Sequence, residues 1–407
     1  MIKQFSYNLL SLILFLVMPA AMLSGISSSV FVVILLLCIA ILIPKMNISI
    51  ANLKLEIFLL SVYLIHLFFN FNSDNLFTIL LISALIFFTL FIMQTNFNLD
   101  INYNILIAGA ITAIAIFSFQ YYFDGFLVEK FWNILPPSKP KIFKLYMLDR
   151  GCNLLALASW IVIAILLRAN HQIIALFYYI ILLSLLAISD SLATFVAFSL
   201  SGLLFVFARF ISMYFLKVVK FTIILGAILL PILFYNIHPN SFIENYASKI
   251  PLSAKHRIFI YHWMSEGIAK QPILGYGINA FRYIDIHKTK GIWYDGVNFE
   301  QPTHPHNNIL QILFETGALG FIAFLLLIYK YCSKLEVRLL ELNKVDNEDS
   351  ITMIEQNLYI CSYCCFLTYF IIGMISFNMW QTSWVSNGLW CMILFKIYRQ
   401  EVISNIS

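Results

Sequence analysis

Charge is scarce in this chain. Only 11% of its 407 residues are Asp, Glu, Lys or Arg, whereas 61% are hydrophobic. A soluble domain carries about a quarter charged residues, so a soluble shell is excluded. The formal net charge of +5 forms no dense basic block, which argues against nucleic acid as a partner. No disulfide framework is visible, because Cys38, Cys332, Cys361, Cys364, Cys365 and Cys391 all fall within or beside apolar runs. Cys361 and Cys364 share a helix face but lack the second ligand pair of a zinc site, so they read as packing thiols. An internal repeat of the kind many transporters carry is also missing.

Long apolar runs are what the chain does have. A stretch of about 20 residues crosses a hydrocarbon core ~30 Å thick. Such runs stand at Tyr7 to Ser24, Ser29 to Ile43, Leu55 to Phe71, Leu76 to Met93, Asn104 to Phe123, Cys152 to Leu167, Ile173 to Ile188, Leu192 to Phe215 and Val218 to Ile237. Three more follow a polar gap, at Asn308 to Tyr331, Leu358 to Phe377 and Ser383 to Ile397. The expected fold is therefore an all-α, polytopic membrane bundle of about 12 transmembrane helices, the first of them uncleaved. It divides into an N-terminal helical part (1–237), a long loop between helices 9 and 10 (238–307) and a C-terminal helical part (308–407).

Lys and Arg in short loops set the orientation. With both termini in the cytoplasm, Lys45, Lys54, Arg168, Arg209, Lys217, Lys220, the Lys330 to Lys344 segment, Lys396 and Arg399 all lie inside. One connection departs from the pattern: Phe123 to Arg150 falls outside yet carries Lys130, Lys139, Lys141, Lys144 and Arg150. Alternating charges over Lys330 to Gln356 read as a solvated connector.

The loop at 238–307 holds six of the eight histidines. Within it Ala254 to Ala269 reads as an amphipathic helix bearing Arg257, and Pro272-Ile-Leu-Gly275-Tyr-Gly277 as a turn-rich stop. His304-Pro305-His306-Asn307 then runs into a membrane helix, placing imidazoles at a membrane surface where one can act as a general base. Gly317 and Gly320, three apart, suit close approach of a neighbouring helix. Two plainer readings stand beside this. His304 and His306 can hydrogen-bond to backbone or head groups, or join His287 or His262 on a metal, although no acidic or thiolate ligand stands at recognisable spacing. The outside arginines Arg150, Arg257 and Arg282 offer rigid donor forks for phosphate, or serve as head-group anchors. Trp293, Tyr294, Phe299, Trp380 and Trp384 suit an interfacial belt or stacking on sugars.

These residues carry a resemblance. His306 and Asn307 followed after nine residues by Gly317-x-x-Gly320, with Arg257-Ile-Phe-Ile-Tyr-His-Trp263 and the Pro-x-x-Gly-x-Gly stretch upstream, resemble the bacterial O-antigen ligase family, within a superfamily of polymerases and pilin-glycosylating oligosaccharyltransferases. The resemblance implies a metal-independent, cofactor-free transferase of the inner membrane. It would move a glycan from undecaprenyl diphosphate onto lipid A-core at the periplasmic face. His306 would be the base and Arg257 the diphosphate ligand, with Arg150, Asn307, His304 and Arg282 binding substrate and Gly275, Gly277, Gly317 and Gly320 shaping the motif. Two positions depart from the family pattern. Ser189-Asp190-Ser191 stands where ligases carry a Ser-Arg or Thr-Arg pair, which makes Arg150 the substitute cation, and Phe321 follows Gly320 where ligases often have Thr.

Overall fold

The computed structural model describes residues 2–24, 27–42, 61, 76–95, 99, 101–133, 142–239, 241–242, 252–284, 292–294, 297–299, 304–343 and 350–404. Its helices are α1 (Ile2–Leu23), α2 (Ser27–Leu42), α3 (Leu76–Gln94), α4 (Asn104–Tyr122), α5 (Phe126–Asn133), α6 (Asp149–Arg168), α7 (Gln172–Ile188), α8 (Leu192–Val206), α9 (Tyr214–Asn236), α10 (Leu252–Lys270), α11 (Asn308–Leu342), α12 (Ser350–Ile375) and α13 (Thr382–Ser404). Among the described residues seven helical segments are long and apolar enough to cross a membrane, and three shorter apolar ones accompany them. Apart from Ser61, the run at Leu55 to Phe71 lies outside the described residues. One small departure from an all-helical chain stands in the long loop: β1 (Ile292–Tyr294) pairs antiparallel with β2 (Val297–Phe299), Trp293 opposite Asn298.

Burial sorts the helices. α6 is covered continuously from Gly151 to Leu166, as a helix apolar on every side must be to sit at the centre of a bundle. α1, α4, α7, α8, α12 and α13 pack around it. Hydroxyls tie this centre together, with Trp160 Nε1 donating to Thr368 Oγ1 (2.9 Å) and Thr368 in turn to Ser201 (2.8 Å), joining α6, α12 and α8. Such interhelical bonds contribute about 0.6 to 2 kcal/mol each. α9 is the opposite case: Val218, Phe221, Leu225, Leu229, Ile232 and Leu233 stand exposed along it, a face suited to lipid chains. All seven cysteines are free and buried.

The charged stretch after Lys330 is only partly solvated: Lys330, Lys334 and Glu341 are exposed while Glu336 and Glu355 are buried, and residues 344–349 lie outside the described residues. α11 continues to Leu342 and α12 starts at Ser350. Glu336, on a helix, forms a buried 2.6 Å ion pair with Lys220 of α9, whose ammonium also donates to Ser333 (2.9 Å). Arg338 pairs with Glu355 of α12 at 3.3 Å. Cross-helix pairing, between residues 116 positions apart for Lys220 and Glu336 and 17 apart for Arg338 and Glu355, satisfies charges that local alternation assigns to water.

α11 also breaks where a packing motif was expected. Gly317 has φ 61° and ψ −167°, outside any helical conformation, in a region that is essentially glycine-only. No neighbouring helix uses the gap. Instead the backbone after α10 lies against the break: the N–H of Tyr276 donates to Phe314 O (3.0 Å), Gly277 to Glu315 O (2.8 Å), Ala318 to Pro272 O (2.8 Å) and Leu319 to Ile273 O (3.3 Å). A Cβ on Gly317 would stand 2.2 Å from Ile273 O, and one on Gly275 2.6 Å from Gly317 N. A Cβ on Gly320 would meet Thr316 of its own helix, 2.1 Å from Oγ1 and 2.4 Å from Cβ.

Gly317→Ala is therefore expected to lower the stability of detergent-purified protein by about 1 to 3 kcal/mol from backbone strain alone. Gly320→Ala carries no positive-φ strain, but its Cβ would stand 2.4 Å from Thr316 Cβ, which no side-chain rotation moves, so it too should destabilise, by parting the turn that holds Thr316. A Gly317→Ala protein that melts with the wild type would contradict the role given to the break.

Candidate active site at the His306 end of the bundle

α10 carries Ile260 and Met264 into a cluster with Phe281, Leu310 and Phe314, and Phe259 is buried as well. This seats α10 on α9 and α11. Arg257 and Tyr261, four residues apart, share the side of the helix that carries Ile260 and Met264, and Tyr261 packs against that cluster. Tyr261 donates its hydroxyl to the carbonyl of His306 at 2.9 Å, and the Arg257 charge is felt at both Tyr261 and His306. Burial pushes the Tyr261 phenol up to about 12, with Arg257 and Asn307 opposing, so it remains a donor at neutral pH.

The chain just before α11 is held in an unusual shape. Pro305 precedes His306, which adopts φ 55°, a left-handed conformation uncommon outside glycine. Asn307 is then extended and nearly fully buried, and its Oδ1 accepts the N–H of Leu310 at 3.0 Å. Asn307 is thus the N-cap that starts α11. The turn sets the imidazoles of His304 and His306 with centroids 4.2 Å apart. His304 Nε2 meets the carbonyl of Ser376, in the turn after α12, at 3.2 Å.

Electrostatics keep this pair neutral. Burial first, then His304, Arg257 and His256, lower His306 from its ordinary value of 6.5 to about 3, against a raising bond to Ser376. His304 is lowered chiefly by burial and also by Arg150. Nδ1 of His306 is buried without a hydrogen-bond partner among the described residues. A neutral imidazole with an unused ring nitrogen, flanked by guanidinium groups, can accept a proton while cations hold an anion beside it.

The structure brings His304, His306, Arg257 and Arg150 into one electrostatic neighbourhood, with Asn307 beneath them. Arg150 lies exposed in the first turn of α6. One helical turn on, Asn153 accepts a bond from Thr194, which pairs with Ser191 at 2.6 Å, so the Ser189–Ser191 turn sits at this same end of α6. Among the described residues neither Arg150 nor Arg257 makes an ion pair with a carboxylate. Arg282 is apart: it is exposed on a 3-10 turn (Ala280–Arg282), and its charge does not figure among those acting on His304 or His306.

Other candidates fall away from the cluster. His262 is engaged by Phe234 O (2.8 Å) and Glu266 (3.4 Å), and His287 lies outside the described residues. Among the described residues no group of three or more His, Cys, Asp or Glu is arranged for a metal ion. Trp384 is not on the surface as expected; it is fully buried, stacked on Tyr369 at 4.2 Å and on Phe377 at 4.7 Å. The side chains of Trp293, Tyr294 and Phe299 lie outside the description.

Sequence reasoning missed Tyr261, His256, Ser376 and, above all, Glu315. A carboxylate in the first turns of an apolar helix was a legible signal, because ionisable groups in membrane helices are functional by default.

A protein-family model described as "O-Antigen ligase" matches residues 174–325, which span α7 through the Gly317 break. Over this stretch the chain is similar to the O-antigen ligase family. It is 42% identical over 290 residues to a candidate polysaccharide ligase of Rickettsia felis, covering 71% of this chain and 65% of that protein. Similar proteins of Rickettsia typhi (43%) and Rickettsia prowazekii (42%) match over 71% of this chain and 66% of their own length. The matched stretch thus spans just under two thirds of these relatives.

Two measurements test the geometry. Tyr261→Phe keeps the ring contact with Phe234 and removes only the bond to His306 O, so a stability loss of about 1 kcal/mol is expected, and none would deny that bond. Because the folded state depresses His306 from 6.5 to about 3, the unfolded chain binds more protons in that interval. Stability is therefore lost as pH falls through it and is intact above 6.5. His306→Gln should flatten the acid side of the Tm-against-pH curve; an unchanged curve would contradict a buried neutral imidazole.

Proposed function

We propose that this chain is an O-antigen ligase family member and transfers a glycan from undecaprenyl diphosphate to a sugar hydroxyl of lipid A-core at the periplasmic face of the inner membrane, with both termini in the cytoplasm. The observation that carries the reading is the neutral, partly buried His306 beside Arg257, with Arg150 acting on the adjoining His304. A ring nitrogen of His306 takes the proton of the acceptor hydroxyl. The hydroxyl oxygen then bonds to the anomeric carbon of the donor as the bond from that carbon to the diphosphate oxygen breaks. Undecaprenyl diphosphate departs with the electron pair, held by Arg257 and Arg150.

An imidazole already neutral at physiological pH needs no prior deprotonation to act as base. Preorganised cations in a water-poor site stabilise the departing anion, and losing one such donor typically costs about 10² to 10³ in rate. His304, braced on Ser376, keeps a second imidazole against the first, and Asn307 positions His306 by capping α11. Arg282, exposed beyond the cluster, contributes to the donor's outer parts. No cofactor enters this scheme, and transfer is expected to proceed in the presence of chelators.

A deletion strain scored by lipopolysaccharide gel separates this reading from its relatives. Loss of a ligase leaves complete core without polymer while lipid-linked polymer accumulates; loss of a polymerase leaves core bearing one repeat, and loss of a pilin-type oligosaccharyltransferase leaves the ladder intact. His306→Ala and Arg257→Ala should each reproduce the deletion at normal membrane levels, with Arg150→Lys retaining partial activity. A full ladder from His306→Ala or Arg257→Ala would remove that residue from the chemistry.

A further inference from the structure

Glu315 is fully buried in α11, two residues before the Gly317 break. A buried carboxylate normally faces a cation, but among the described residues none lies within ion-pair distance of it. Four N–H groups converge on it instead. Oε2 accepts from the backbone of Asn279 at 2.9 Å and from the indole of Trp380, while Oε1 accepts from Gln311 Nε2 at 3.2 Å and the backbone of Phe281 at 3.4 Å. These donors belong to three separate pieces of chain: the loop after α10, α11 itself, and the turn between α12 and α13.

The same turn is pinned a second time. Gln311 donates to Asn378 Oδ1 (2.8 Å) and accepts from the N–H of Met379 (3.0 Å), and Trp380 N also donates to Asn378 (2.8 Å). That turn carries Ser376, whose carbonyl meets His304, and His304 lies against His306. Hydrogen bonds at both ends of the 376–380 turn, joined by its backbone, thus connect the Glu315 carboxylate to His304, and a ring contact carries the connection to His306.

We propose that Glu315 is the positioning residue of the site, its carboxylate fixing the α12–α13 turn and the Asn279–Phe281 loop so that His304 and His306 stand where Arg257 can share their ligand. The role needs an acceptor at all four contacts. Glu315→Gln is nearly isosteric, yet each oxygen now receives two N–H groups, so an amide nitrogen at either position faces two donors. The buried network is then only partly satisfied, which is where such networks fail. Trp380→Phe removes one donor and leaves the carboxylate, and should act in the same direction more weakly.

The placement of the rings can be read without substrate. Purified protein in nanodiscs is treated with diethyl pyrocarbonate at pH 7, and modification rates of individual histidines are followed by mass spectrometry, with exposed His171 between α6 and α7 as internal reference. In Glu315→Gln protein with an intact cooperative melt, His304, loosened from Ser376, should react severalfold faster while His171 keeps its rate. Trp380→Phe should give a smaller change of the same sign, and decides the matter if the Gln variant does not reach the membrane. Unchanged His304 and His306 rates in a folded variant would overturn the proposal. Its functional consequence rests on the proposed ligase activity: in a transfer assay Glu315→Gln should lower kcat by up to about 10²-fold, as misplacement of reacting groups does, with the donor's KM nearly constant. A wild-type protein that transfers no glycan would refute the function while leaving the modification result to judge Glu315 by itself.

Discussion

A loop backbone laid against a broken membrane helix is the constraint on which the site depends. Gly317 opens α11, the Pro272–Gly277 strand of chain supplies hydrogen-bond partners to the carbonyls and N–H groups that the break releases, and Gly275 allows the two backbones to touch. Non-helical backbone within a membrane bundle is tolerated only where protein satisfies it or water reaches it. Satisfying it here also fixes α10, which ends where that loop begins, and α10 carries Arg257 and Tyr261. The break therefore sets the distance between the arginine and the histidine, which sits at the start of the same α11.

Above the break, α11 begins with a local device of a different kind. Pro305, left-handed His306 and the Asn307 cap turn the chain sharply into the helix, and Tyr261 holds the turn by the His306 carbonyl. The strain of a non-glycine residue at positive φ is stored at the residue whose ring is buried, unpaired at Nδ1 and neutral. Strain placed where chemistry is proposed, and over-determined by its surroundings, is the usual pattern of a functional constraint. The opposite end of the bundle is held by means unrelated to the site, the buried Lys220–Glu336 pair and the Arg338–Glu355 bridge.

Much of this was legible in the sequence because membrane helices are set by composition over a window of one chain segment. The apolar runs fall on described helices wherever the structure describes them, and the linked spacing of Arg257, the glycine-rich turn, His306 and Gly317 pointed to one locus. What was not legible depends on partners distant in sequence or on backbone angles. Glu315 reads as an isolated acid until Asn279, Phe281 and Trp380 are seen around it. Gly317 and Gly320 look like a helix-packing pair, since a spacing of three carries no information about φ. Glu336 looks solvated because the lysine of α9 that meets it lies far away in the chain, and Arg338 because a run of alternating charges does not say that Glu355 of α12 folds against it. Trp384 looks interfacial because its stacking partners come from α12 and the turn after it.

The central claim is that one anionic lipid head is shared by the arginines while the histidine addresses the carbon beside it. An experimental structure of the nanodisc-embedded protein with undecaprenyl diphosphate bound tests this most directly. The account predicts the diphosphate within hydrogen-bonding distance of the Arg257 guanidinium and facing Arg150, with the His306 ring opening toward its free end. Diphosphate density at the opposite end of the bundle, beside Lys217 or Arg209, or separated from His306 by a helix, would contradict it.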